Sequence, residues 1–210
     1  MVTLAHGGGA LRTGAGALRL VESRTTDPET VNVTEYVAAV AAHCPWLAPS
    51  VERGSTGWTV YEAVGGAECV EAGVFHACVQ AAEWVRPLAN RPHGALVCEN
   101  VVVLGAGQEA LDWPHWVLKH LYGPVGLMFG KFAAGEERLN RYGRRIPVPP
   151  ASFLPVRVAV RSRDARFLRR TPDLSAAMVV AVDDGRDVFE GVPCAWKEIK
   201  QWAHHLLPGR

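Results

Sequence analysis

WTVYEAVGG at residues 58–66, AECVEAGVFHACVQAAEWV at 67–85 and ALVCENVVVL at 95–104 together decide how this chain folds. In the first segment apolar side chains alternate through Trp58 and Val60 and close on Ala63 and Val64, the period of a half-buried strand. Gly65-Gly66 then breaks the pattern. From Glu68 to Val85 the apolar positions are Val70, Val74, Phe75, Cys78, Ala82 and Val85, which fall on one stripe of a helix. Pro87, Pro92 and Gly94 end that helix. Residues 95–104 read as a second strand, with the VVVL run at 101–104 its most β-prone part.

Upstream, residues 34–42 carry the stripe Tyr36, Val37, Val40 and Ala41, a short helix that must stop at Cys44-Pro45 because the residue before proline is pushed out of the α region. Residues 1–30 are Gly/Ala-rich and weakly periodic, and are expected to form a loosely held arm, leaving 31–210 as a single catalytic domain. Downstream, Asp112 and Pro114 open a helix over 112–121, and Gly123-Pro124 closes it. A third strand is expected over 127–132, a fourth over 153–160 and a fifth over 178–182. Residues 133–150 form a long, proline-bounded connection of the kind that is usually functional or mobile. Pro193 starts a last amphipathic helix with Trp196, Ile199, Ala203 and Leu206 on one face. The expected fold is α+β: one domain with a mixed or antiparallel sheet of about five strands packed by helices.

The chain has 210 residues, 49% of them hydrophobic and 20% charged, enough to bury a full core. Lys+Arg number 22 against Asp+Glu 21, so the strong basic excess of a nucleic-acid binder is missing. No apolar run approaches the ~20 residues that span a bilayer. The five cysteines are an odd number without a C-x-x-C pair, which suits reduced thiols and a cytoplasmic location. There is no Walker-type phosphate loop, and Gly105-Ala106-Gly107 lacks the third glycine of a dinucleotide fingerprint. H-E-x-x-H is absent too, and neighbouring His204 and His205 point apart on a helix. Neither a nucleotide cofactor nor a metal is expected.

Cysteine chemistry needs a thiolate, a base within hydrogen-bond reach and a group that orients the base. Cys78 lies on the apolar helical stripe and reads as core. Cys194 falls in the first turn expected for the last helix. Cys69 sits in the first turn of the 68–85 helix, just after Gly65-Gly66, where a helix dipole favours a thiolate. Cys44 is either a rigid corner with Pro45-Trp46 or a thiol at a pocket mouth. Strand alternation would bury Cys98 and turn Glu99 the other way, making Glu99 the better functional candidate. His120, beside the apolar face of its helix, is either a core histidine or a base shielded from water.

Several short blocks occur in a fixed order: Cys44-Pro45-Trp46 with Pro49 and Glu52-Arg53-Gly54, then Gly126-Leu127-Met128-Phe129-Gly130-Lys131-Phe132, Arg145-Ile146-Pro147-Val148-Pro149 and Asp164-Ala165-Arg166-Phe167-Leu168. Over these blocks the chain resembles a bacterial domain family common in actinobacterial natural-product gene clusters. It departs from that family at Lys131-Phe132-Ala133, where Glu-Phe-His is frequent. It is also similar to the condensation enzymes of lincosamide antibiotic biosynthesis, which join a carrier-protein-bound proline or alkylproline to the amine of a sugar.

The resemblance implies a thioester donor on the phosphopantetheine of a carrier protein, an amino-sugar acceptor, an amide product and no further cofactor. Under it, Cys44 or Cys69 would be the nucleophile, His120 the base and Glu99 its orienter, with Trp46, Trp58, Trp113 and Trp116 walling a dry pocket. Arg138, Arg141, Arg144 and Arg145 would meet an acidic carrier protein. Two rival readings are a non-catalytic carrier-binding accessory protein and a thioester hydrolase using the same thiol.

Overall fold

A computed structural model describes residues 17–139, 142–160, 164 and 171–207. In chain order the elements are β1 (Leu18–Thr25), α1 (Thr34–Ala41), α2 (Leu47–Glu52), β2 (Thr56–Ala63), α3 (Ala67–Val85), β3 (Cys98–Leu104), α4 (Glu109–Tyr122), β4 (Leu127–Phe129), β5 (Arg138–Leu139), β6 (Arg145–Ile146), β7 (Ser152–Val158), α5 (Pro172–Val179) and α6 (Trp196–His204). β2 and β3 run parallel in the register Thr56↔Cys98 to Glu62↔Leu104, and α3 is the crossover between them. β1 pairs antiparallel outside β2, β7 antiparallel to β3, and β4 antiparallel to β7. The result is a mixed five-stranded sheet in the order β1-β2-β3-β7-β4, packed by helices as expected for an α+β domain.

Strand alternation sorts the side chains onto two faces. Val101 and Val103 of β3, with Leu154 and Val156 of β7, face the main core built with α3, α4 and α6. Val102 and Phe153 point the other way, into a smaller core with Trp58, Val60 and Tyr36 of α1. The α3 stripe read from sequence is the buried one, with Val74, Cys78, Ala82 and Val85 fully covered. α6 closes the main core by burying Trp196, Ile199 and Ala203, and the Trp196 ring lies 5.0 Å from that of Phe75. Glu71 of α3 ties it down, accepting from Trp196 Nε1 at 3.0 Å and from Lys200 at 2.8 Å.

Five expectations are corrected. The loose arm over 1–30 gives way, from Leu18, to a strand of the sheet, while residues 1–16 lie outside the described residues. β1 is mostly exposed, so no alternation marks it; backbone pairing to β2 and close seating of Ala17 against Gly65 hold it. The strand expected over 178–182 is replaced by α5, which buries Leu174 and Met178 one turn apart against Met128 and Ala159. Val179, Val180 and Val182 stay exposed, so that apolar run has no sheet to join. The 133–150 connection contains the small β5–β6 hairpin, and Phe132 forms a single bridge to Phe153 in place of a longer third strand. α4 starts at Glu109, earlier than read, and so carries Pro114 inside it.

A helix over α5 and a strand over 178–182 expose different residues, so stability measurements separate them. Leu174→Ala and Met178→Ala should each cost about 2 kcal/mol or more by chemical denaturation, whereas Val180→Ala should stay within about 0.5 kcal/mol.

Candidate functional site: a buried carboxylate beneath α3

Glu99 lies on β3 with the parity of Val101 and Val103, so its side chain enters the space between the sheet and α3. Its register partner on β2 is Gly57. A Cβ at position 57 would clash with Glu99 Oε1, so the carboxylate occupies the volume a side chain there would fill. Arg24 reaches in from β1, and its Nε donates to Glu99 Oε1 at 2.7 Å. The same guanidinium lies 4.1 Å over the ring of Trp84. These groups border a pocket of about 180 Å³, lined also by Thr59, Tyr61 and Gln80.

Burial pushes the Glu99 carboxyl above the usual carboxylate range, and Arg24 opposes that shift without cancelling it. The imbalance follows from exposure: 5% of the Glu99 side chain meets solvent against 36% of Arg24, so water screens the cation more than it relieves the acid. Tyr61 is likewise raised by burial. The pocket therefore presents a carboxylate of enhanced basicity beside the two Nη groups that Arg24 does not spend on the Nε bond. Such a pair can accept a proton and stabilise a developing negative charge.

The thiols lie elsewhere. Cys44 follows α1, its N–H donating to Val40 O, and it is electrostatically coupled to Cys98 and Arg157. That trio belongs to the sheet face opposite Glu99: Cys98 Sγ sits 3.9 Å from Asn100 Oδ1, and Arg157 faces Cys98 in register. Asp164 holds Arg157 through contacts of 2.7 and 2.8 Å, while residues 165–168 of its motif lie outside the described residues. Burial pushes the Cys98 thiol up to about 12 and the Cys78 thiol further still. Cys69 is exposed in the first turn of α3, ~12 Å along the helix axis from Ala77, the first α3 residue to line the pocket, and ~22 Å from Trp84, at 1.5 Å per residue. Cys194 precedes α6, so that helix does not carry it.

His120 is on α4 with its ring 4.6 Å from that of Trp116. Its buried Nε2 has no hydrogen-bond partner among the described residues, and burial, then Lys119, pushes the imidazole down to about 4. Among the described residues no hydrogen bond joins His120 to Cys44, Cys69 or Glu99, and His120 is not part of the pocket lining. The cysteine–His120–Glu99 arrangement is therefore not assembled at one point. Trp84 is the tryptophan of the pocket, and none of Trp46, Trp58, Trp113 and Trp116 lines it.

The sequence patterns did not point to Arg24 or Gly57. Arg24 was hidden in the supposed arm, and the one readable signal for Gly57 was a glycine at the entrance of a strand.

The basic stretch is partly neutralised by the two glutamates before it. Arg138 donates to Glu136 at 2.6 Å, and the exposed Arg145 lies 3.8 Å from Glu137. Arg144 sits in the turn before β6, and Arg141 lies outside the described residues. No helix among the described residues is long and apolar enough to cross a membrane, and no group of three or more His, Cys, Asp or Glu there could hold a metal ion. Compared with protein-family models, curated proteins and solved structures, the chain matches none.

With Glu99 raised in the fold, the native state keeps its proton over a pH range where the unfolded chain has released it, so stability falls as pH rises through that range. The melting temperature of Glu99→Gln should lack this decline on the alkaline side of the ordinary carboxylate range. Gly57→Ala should lower stability through the clash alone, and that cost should largely vanish in a Glu99→Ala background, as a double-mutant cycle would read.

Proposed function

We propose that the chain forms an amide bond between an amine and a carrier-bound acyl thioester, with Glu99 as the base. The observation that carries this reading is the buried, unusually basic Glu99 carboxylate facing a pocket beside a guanidinium. The amine lone pair adds to the thioester carbonyl carbon while Glu99 takes a proton from the attacking nitrogen. The C–S bond then breaks, and Glu99 returns the proton to the departing sulfur. The Nη groups of Arg24 would meet the oxyanion, and Tyr61 and Trp84 would limit water and hence hydrolysis. The distance of Cys69 from the pocket and the position of Cys44 on the opposite sheet face favour direct aminolysis over an acyl-cysteine intermediate. The resemblance to lincosamide condensation enzymes supplies the substrate classes: a proline-like acyl group and an amino sugar. The hairpin carrying Arg138 and Arg145 offers a surface for an acidic carrier.

A second reading has one observation in its favour. Because Arg24 belongs to an edge strand, its bond to Glu99 would also serve simply to tie β1 to the sheet, as in a non-catalytic carrier-binding protein.

With a loaded carrier and an amine acceptor, Glu99→Gln should lose ~10²–10⁴ in rate while remaining folded. Cys44→Ala and Cys69→Ala should each keep full turnover, and intact mass should show no acyl adduct on the protein. Undiminished amide formation by Glu99→Gln would remove Glu99 from the chemistry. A mass increase equal to the acyl group, lost on cysteine substitution, would restore the thiol route.

A further inference from the structure

Arg157 meets both oxygens of Asp164 with its two Nη groups, at 2.7 and 2.8 Å. Arg86 holds Asp183 with Nε at 3.0 Å and Nη2 at 2.6 Å. Arg24 and Glu99 are joined differently. Nε donates to Oε1 at 2.7 Å, and neither the Nη groups of Arg24 nor Oε2 of Glu99 has a hydrogen-bond partner among the described residues. The guanidinium is held in place all the same, 4.1 Å over the Trp84 ring. Both groups line the pocket of about 180 Å³, so the unused donors border a cavity.

A guanidinium is flat, and its Nε–H runs parallel to an N–H of the neighbouring Nη. An oxygen accepted at that Nη lies beside Glu99 Oε1. A second carboxylate placed there shares one cation with Glu99. Two carboxylates so close in a dry pocket cannot both be ionised, so one proton must lie between them. Burial already holds the Glu99 carboxyl above the usual carboxylate range, which suits it to keep that proton. The other titratable group of the lining is Tyr61 from β2, raised by burial and so neutral. α3 brings Gln80 and Trp84, and β7 sets Val156 beside Glu99 in register, so neither adds a charge. A phosphate dianion would exceed the single cation, and an ammonium ligand would meet Arg24. Tyr61, Ala77 and Val101 give the body of a ligand an apolar wall, and the volume keeps that body well below drug size.

We propose that this pocket binds a small monocarboxylic acid, whose carboxylate takes the unused Nη of Arg24 and shares one proton with Glu99. Binding of this kind does not depend on the reaction proposed above. An acid held there would keep Glu99 protonated and stop it acting as the base of that reaction.

Calorimetric titration of the full chain tests this, with benzoate and isobutyrate as acids and benzamide and benzylamine as neutral and cationic analogues. Saturable binding of at least one acid is expected, and of neither analogue. Above the Glu99 range, titration in two buffers of different ionisation heat should read uptake of about one proton per acid bound, and affinity should fall ~10-fold per pH unit. Arg24→Gln should weaken binding by ~10-fold or more, and Lys197→Gln, at an exposed position, should leave it unchanged. Glu99→Gln should abolish the proton uptake and flatten the pH dependence. Saturable, proton-linked binding upholds the site even where Glu99→Gln retains amide formation. Failure of both acids to saturate, equal binding of benzamide, pH-independent affinity in the unsubstituted protein, or undiminished affinity in a folded Arg24→Gln would overturn the proposal.

Discussion

Two neighbouring strands that run the same way cannot be joined by a tight turn, so the chain must travel back along the sheet before the second begins. Between β2 and β3 that return is made by α3, and the rest of the molecule is arranged around it. The parallel register sets Gly57 beside Glu99, and the antiparallel path of α3 brings Gln80 and Trp84 over the same spot. The direction that closes the pocket with the end of α3 also carries the start of the helix, and Cys69 with it, to the opposite end of the strands.

The pleat of β3 then divides the chemistry. Glu99, Val101 and Val103 look toward α3, while Cys98, Asn100 and Val102 look toward α1. A carboxylate and a thiol adjacent in sequence are thus separated by the sheet itself. Each face keeps its own polar set: Glu99 with Arg24 on one side, and Cys98 with Cys44, Arg157 and Asp164 on the other. The second set carries an ion pair in which Asp164 is 3% exposed and Arg157 30%, and it pins the end of β7.

Periodicity made most of this architecture legible. The α3 stripe and the β2 and β3 runs can be read almost to their ends, because burial on one face leaves a repeating mark in the residues. β1 left no such mark, since its side chains are largely exposed and its hold is through backbone pairing. The 178–182 run looked like a strand because β-branched residues dominate it, yet sheet formation needs a free edge, which composition does not report. At the site, alternation was enough to single out Glu99. Its partner was not legible: Arg24 lies 75 positions away and meets it only because β1 and β3 flank the same intervening strand, β2. Cys44, Cys69, His120 and Glu99 are not brought to one point for the same reason, as no local pattern records which face or end of a sheet a residue will occupy.

α6 is the last described helix to be synthesised, and it supplies Trp196, Ile199 and Ala203 to the core shared by α3 and α4. A chain growing from its N-terminus will have made every strand of the sheet before those residues emerge. Until then Phe75 lacks its ring partner Trp196, and Trp113 lacks His204, which stands 4.6 Å from it in the finished fold. The nascent chain therefore carries a stripe of uncovered apolar surface on α3 and α4 through most of its synthesis. Such surface is what holdase chaperones bind and what drives early aggregation. Completion of the core waits on the final helix, although the sheet that positions the pocket has all its strands well before it.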